Sequence, residues 1–227
     1  MIAITRTLPG PVAELDIEKN KPKGTYRVKP VAEQLKTDFF NKCYLCELKG
    51  STSLNVEHLS PHRGKDKDLE FGWINLFWSC VHCNGTKGER FHPIIDCTAP
   101  GMKVLERLDF IFEPFPVSKV TINGLDDKAE TANTVKLLTE IHNGSKAAPI
   151  RSMEAANLRD CILDVFNRFV RLVEQYEKAK HPDKKARFSQ RIRHALKPDA
   201  PYTAIMACFV KHHPRLNAEF SDAINVL

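Results

Sequence analysis

The chain has 227 residues, 42% of them hydrophobic, and a formal net charge of +6. Such a length and apolar share exclude wholesale disorder and allow one real core, alone or with a helical extension. The apolar runs are short and broken by proline or charge, so no segment is expected to span a bilayer and no membrane partner is expected. The basic balance points only weakly to an anionic partner.

Seven cysteines could suggest a secreted disulfide framework. The number is odd, four of them fall in two Cys-x-x-Cys pairs, and residues 1–10 contain no apolar signal-peptide core. A reducing cytoplasm fits this usage better. Cys97, Cys161 and Cys208 then read as buried thiols.

In chain order, residues 1–26 are rich in Pro, Lys and Gly and read as an extended arm, because Pro9-Gly10-Pro11 suits neither a helix nor a central strand. Val31, Leu35, Phe39 and Phe40 fall at helical spacing, which predicts a short helix over 30–40 with Pro30 in its first turn. Residues 1–41 thus form the arm and its helix. Residues 42–123 hold a Cys/His-rich unit followed by two expected strands, 108–112 and 117–122, turned at Pro114-Phe115-Pro116. Residues 124–227 read as helical. A first helix, capped by Asp126 or Asp127, runs to about His142 and is ended by Asn143-Gly144. A longer one starts near Ser152, with Leu158, Cys161, Ile162, Val165, Phe166, Phe169, Val170, Val173 and Tyr176 on a broad apolar face that must pack inside the chain or against a partner. A basic segment, Lys178 to Lys197, is bracketed into a helix by Pro182 and Pro198. It is either a solvated face or a phosphate contact. Two short helices, 202–210 and 216–227, complete the region.

The stretch from Lys42 to Arg90 carries the chemistry. Cys43, Cys46, Cys80 and Cys83 supply four thiolates, a set that binds Zn²⁺ tetrahedrally and leaves no open position, so the zinc would be structural. Four free thiols beside polar loops are the weaker alternative. Between the pairs lie Glu57-His58 at the end of a short strand, Asn75-Leu76, and Asn84 directly after the last cysteine. Phosphodiester hydrolysis needs a base for water, and a neutral imidazole such as His58 suits it. It also needs a divalent cation, for which Glu57 and Asn84 offer hard oxygen ligands suited to Mg²⁺ or Mn²⁺. Asn84 is expected in the first turn of a helix starting near Cys80, with Lys87 one turn on, able to meet a phosphate together with Arg63. His62 reads as a loop residue, His82 as exposed helix surface, His92 as a residue that could approach the site, and Trp73 and Trp78 as packing for a small core.

The order Cys-x-x-Cys, acid-His, Asn-Leu, Cys-x-x-Cys-Asn, with a lysine three residues on, resembles the HNH endonucleases. The resemblance implies a zinc-stapled ββα-metal core within an α+β chain. It implies His58 as general base, Glu57 and Asn84 as ligands of the catalytic metal, and Asn75 as the brace of the loop bearing the base. The sequence departs from the family's usual Asp at the first position, where Glu57 stands, and its last position is Asn84 rather than His. Over the whole length, CYLCE, VEHLSPHRGKDKDLEFGWINLFWSCVHCNGTKG and PIIDCT resemble the PtuB family, HNH nuclease subunits of Septu-type anti-phage systems that are also effectors in some retron systems. That likeness implies a PtuA-like ATPase partner of the ABC/SMC kind and DNA or tRNA as the target. A non-catalytic zinc-binding nucleic-acid or adaptor module is the rival reading. It would keep the four cysteines and tolerate loss of His58 and Asn84.

Overall fold

The computed structural model describes residues 1–145, 148–225 and 227. Its architecture is α+β, with two small antiparallel strand pairs set among helices. The arm carries a helix, α1 (Val12–Lys19), where an extended segment is expected. Its periodicity is weak because one residue, Leu15, is buried, and it is supported by packing on neighbours rather than by its own apolar stripe. Lys29–Asp38 forms α2, with Pro30 in the first turn and Val31 and Leu35 buried.

Leu54–His58 (β1) pairs antiparallel with Leu76–Cys80 (β2), which puts Glu57 opposite Phe77 and His58 opposite Leu76. The chain between them makes a short helix, α3 (Lys67–Phe71), capped by the Asp66 carboxylate, and a 3₁₀ turn at Trp73–Asn75. Val81–Lys87 (α4) leaves β2 without a loop. The second pair, β3 (Leu108–Glu113) and β4 (Lys119–Gly124), falls close to the two expected strands; β3 is one residue longer than expected, and β4 keeps the expected length but lies two residues further on.

The helical part runs α5 (Ala129–Asn143), α6 (Pro149–Lys178), α7 (Pro182–Ala195), α8 (Thr203–Lys211) and α9 (Pro214–Ile224). Val226, inside the expected last helix, lies outside the described residues. Neither Asp126 nor Asp127 caps α5. Asp126 is drawn instead to Arg107, whose Nε donates to its Oδ2 at 2.7 Å, and the helix begins two residues after the aspartates. Proline at its first turn lets α6 start three residues earlier than its apolar pattern suggests.

On α6 the side chains of Leu158, Ile162, Phe166, Phe169, Val173 and Tyr176 are buried against the rest of the chain, α5 and α7 included, so the broad face serves the internal core. Each contributes roughly 1.5–3 kcal/mol relative to an exposed position. Cys161 sits at the margin of that stripe and is exposed, unlike the buried Cys97 and Cys208. One contiguous hydrophobic cluster joins the arm, the β1–β2–α4 unit and the helices. No helix among the described residues is long and apolar enough to cross a membrane.

Candidate functional site

The two cysteine pairs meet at one end of the β1–β2 pair. Cys43 and Cys46 lie on a tight turn in which Cys43 N–H donates to Leu48 O at 3.0 Å and Glu47 N–H to Cys43 O at 2.9 Å. Tyr44 N–H donates to Trp78 O at 3.0 Å and fixes the turn to β2. Cys80 ends β2 and caps α4, its Sγ accepting from Cys83 N–H at 3.5 Å. All four cysteines are buried, and their sulfurs lie within 4.8 Å of one another. Cys46 Sγ and Cys80 Sγ are 3.9 Å apart. That is far beyond a disulfide's length of about 2.05 Å. It is close to the ~3.8 Å between ligands of a tetrahedron with Zn–S of about 2.3 Å. The four thiols can therefore hold a zinc ion.

The turn is also wired into the helical part. Buried Lys42 donates to Glu47 Oε2 at 3.1 Å and to Ala200 O at 2.8 Å, and Ala204 N–H donates to Glu47 Oε1 at 3.1 Å. His82 is not exposed surface. Its two ring nitrogens contact Glu154 Oε2 at 3.0 Å and Ile141 O at 2.9 Å, so it ties α4 to α5 and α6.

A cavity of about 300 Å³ opens beside β1 and α4 and is lined by Glu57, His58, Asn84, Lys87 and Arg63. His58, at the end of β1, faces the loop that follows it. Its Nε2 lies 2.9 Å from Glu70 O. A carbonyl can only accept, so Nε2 carries the hydrogen and Nδ1 of the neutral ring is left as an acceptor. Burial pushes His58 down to about 4, against the smaller upward pull of the Glu70 carbonyl, so the ring is neutral near pH 7.

Asn75 does not reach the cavity's lining. Its Oδ1 accepts from Ser60 N–H at 2.8 Å, and its Nδ2 donates to Ser60 O and Leu69 O, each at 2.9 Å. Leu59 N–H donates to Asn75 O at 2.9 Å. One buried side chain thus clamps both ends of the loop that carries the His58 contact.

Glu57 is buried, which raises its carboxyl above the usual range, and Lys87 opposes that rise. The Lys87 ammonium donates to Glu57 Oε2 at 3.2 Å and to His58 O at 2.6 Å. Lys87 is itself buried, so its charge is directed at the carboxylate and the strand end rather than at open solvent. Glu57 Oε1 is buried without a hydrogen-bond partner, and Asn84, in the first turn of α4, makes no side-chain hydrogen bond among the described residues. The Tyr44 hydroxyl, also buried and unpaired, acts on the same carboxyl. A buried carboxylate and a free amide lining one cavity are an oxygen donor set that fits a hard divalent cation.

Arg63 is exposed at positive φ, its Nε 3.9 Å from Glu89 Oε2. His92 does not line the cavity. Trp73 is buried and donates from Nε1 to Thr7 O at 3.0 Å, whereas Trp78 is half-buried.

Among the lining residues outside the motif, three bear rings or charge against His58 or the rim. Tyr26 and Arg27 come from the arm, and His62 from the loop after β1. Tyr26 packs edge-on against the His58 ring with centroids 4.4 Å apart, and His62 packs against the same ring at 4.4 Å. Arg27 is exposed, with its guanidinium 5.3 Å from the Tyr26 ring centroid. Only the aromatic-cation pair Tyr26-Arg27 just before α2 could have drawn attention, and nothing in its spacing ties it to residue 58.

No protein-family model matches the chain, and no curated protein or solved structure matches it.

Proposed function

We propose that this chain is a metal-dependent endonuclease of the HNH type, hydrolysing phosphodiester bonds of DNA or RNA. The observation that carries the reading is the shared cavity: a neutral imidazole held by a carbonyl, a buried carboxylate with an unsatisfied oxygen, and a free amide line one space beside four clustered cysteines. A divalent cation, Mg²⁺ or Mn²⁺, held by Glu57 and Asn84 would place positive charge on the scissile phosphate and the departing oxygen.

The chain's own groups do the rest. His58 Nδ1 takes a proton from water, whose oxygen bonds to phosphorus as the P–O bond to the departing sugar oxygen breaks, and that oxygen is protonated from solvent. The Nε2–H bond to Glu70 O orients the ring and stabilises it once charged. Asn75 holds the loop that supplies that carbonyl. Lys87 counters the cost of burying Glu57 and favours its ionised form. Arg27 and Arg63, both exposed at the rim, are placed to meet flanking phosphates. Zinc at Cys43, Cys46, Cys80 and Cys83 would fix the ends of this unit and take no part in the reaction.

The likeness to the PtuB family extends the proposal to an effector of an anti-phage complex whose partner is a PtuA-like ATPase. The test is cleavage of plasmid and tRNA by the purified chain, alone and with such an ATPase, with and without Mg²⁺. Metal-dependent cutting that His58→Ala abolishes supports the reading. Absence of cutting in every combination favours the adaptor module.

A further inference from the structure

A groove larger than the candidate active-site cavity lies elsewhere in the structure. It lies between α6, α7 and the segment leading into α8, and has a volume of about 480 Å³. Its floor is apolar: Val165, Phe169 and Leu172 from α6 and Met206 from α8. Its rim is cationic. Arg168 from α6 and Arg191 from α7 both line it and are exposed, and neither has an ion-pair partner among the described residues. His194 adds an imidazole ring to the lining. The carboxylate in the lining, Asp199, is already compensated by Lys49, whose Nζ is 3.7 Å from Oδ2. Asp164, one turn before Arg168, makes no ion pair with it.

The cationic rim continues beyond the groove. On α7, Lys184, Arg187 and Arg191 recur at helical spacing and form one exposed stripe about 10 Å long at 1.5 Å per residue. None of the three has a carboxylate partner among the described residues. The acid on α7, Asp183, sits in its first turn beside His181. On α6, Arg171 lies one turn beyond Arg168, also exposed and unpaired. An apolar floor with unneutralised guanidinium groups in its lining, leading into a line of cations, matches one chemistry: a planar base on the floor and the phosphates of its strand along the stripe. An acidic protein segment would satisfy the cations and leave the apolar floor uncovered.

We propose that the α6–α7 groove and the α7 stripe form a second nucleic-acid site, which holds a single-stranded segment away from the cavity that cuts it. The choice of occupant rests on the nuclease reading of that cavity, but binding at the groove does not require cleavage.

The test is fluorescence anisotropy with a labelled 20-nucleotide single strand, DNA and RNA in turn, titrated with the zinc-loaded full chain carrying His58→Ala in Mg²⁺-free buffer. Arg168→Glu with Arg191→Glu should weaken binding at least tenfold. It should also make the dependence of log K on log salt shallower by about 1.4, because each lost phosphate contact removes about 0.7. Lys119→Glu with Lys136→Glu makes the same change in net charge at exposed sites outside the groove and should leave affinity within about twofold. An equal loss in both pairs, or polyglutamate displacing the strand at equal charge, would overturn the proposal, the second result assigning the groove to an acidic protein. Should the reversals unfold the chain, Arg168→Gln with Arg191→Gln carries the same comparison. Intact groove binding without any cleavage by the unmutated chain, alone or with the ATPase, sinks the nuclease reading alone.

Discussion

Lys87→Met isolates the interaction on which the buried carboxylate depends. The lysine and Glu57 side chains are each 3% exposed, with Nζ 3.2 Å from Oε2. Methionine keeps the aliphatic stem and removes the charge, leaving Glu57 with an uncompensated negative charge and the His58 carbonyl without its donor. Breaking a buried pair in this way costs about 3–5 kcal/mol, more than the pair itself contributes over a neutral replacement. Adding Glu57→Gln removes the stranded charge and should restore much of the loss, giving a coupling of about 2 kcal/mol or more in a double-mutant cycle. Urea unfolding of the wild type, both single variants and the double variant at pH 7.5 measures each term, provided the slope with urea is unchanged. A cost for Lys87→Met below about 1 kcal/mol, or strict additivity of the two substitutions, would refute the view that this ion pair sustains a dry carboxylate beside His58.

Two further predictions test separate parts of the structure. Cys80→Ser should lower bound zinc, measured by a colorimetric chelator after denaturation, from one ion per chain to near zero. It should also abolish cooperative unfolding, since Cys80 both joins the sulfur cluster and caps α4. His142 is buried and bonded through Nδ1 to Leu138 O at 2.8 Å, and burial pushes it down to about 4 from 6.5. The folded state therefore binds fewer protons than the unfolded chain. The contribution is fully present above about pH 6.5 and is lost as pH falls through that value toward 4, up to roughly 3 kcal/mol. His142→Gln should flatten the fall in urea midpoint between pH 7.5 and 5, and an unchanged pH profile would contradict the assignment.

Residues whose partners lie within one local unit could be read from the sequence. The cysteine spacing anticipated the buried sulfur cluster, and the apolar steps on α6 anticipated its buried face. Glu57, His58 and Asn84 were legible as a set because a strand pair followed by a helix brings them together with little chain between. Residues whose surroundings arrive from far away were not. Tyr26 and Arg27 reach the His58 ring from the arm, and no periodicity records that approach. Lys87 reads as a helix cation able to meet a phosphate until the β1–α4 packing turns it inward onto Glu57. His82 looked like surface because its partners, Glu154 and Ile141, belong to helices that start more than 40 residues later. Cys161 shows the opposite error: it lies within three residues of Leu158 yet just off the buried stripe, and a helical pattern read by eye does not resolve that angle.

The central claim is that His58 is the base of a metal-dependent phosphodiester cleavage. Its most direct test is the cleavage rate of wild type and His58→Ala on plasmid and tRNA in Mg²⁺, with zinc content and the urea midpoint measured on the same preparations. The wild type should cut in a Mg²⁺-dependent manner, and the variant at least a hundredfold more slowly. Zinc content and stability should change little, the latter by no more than about 2 kcal/mol. Cleavage by His58→Ala at the wild-type rate would contradict that claim.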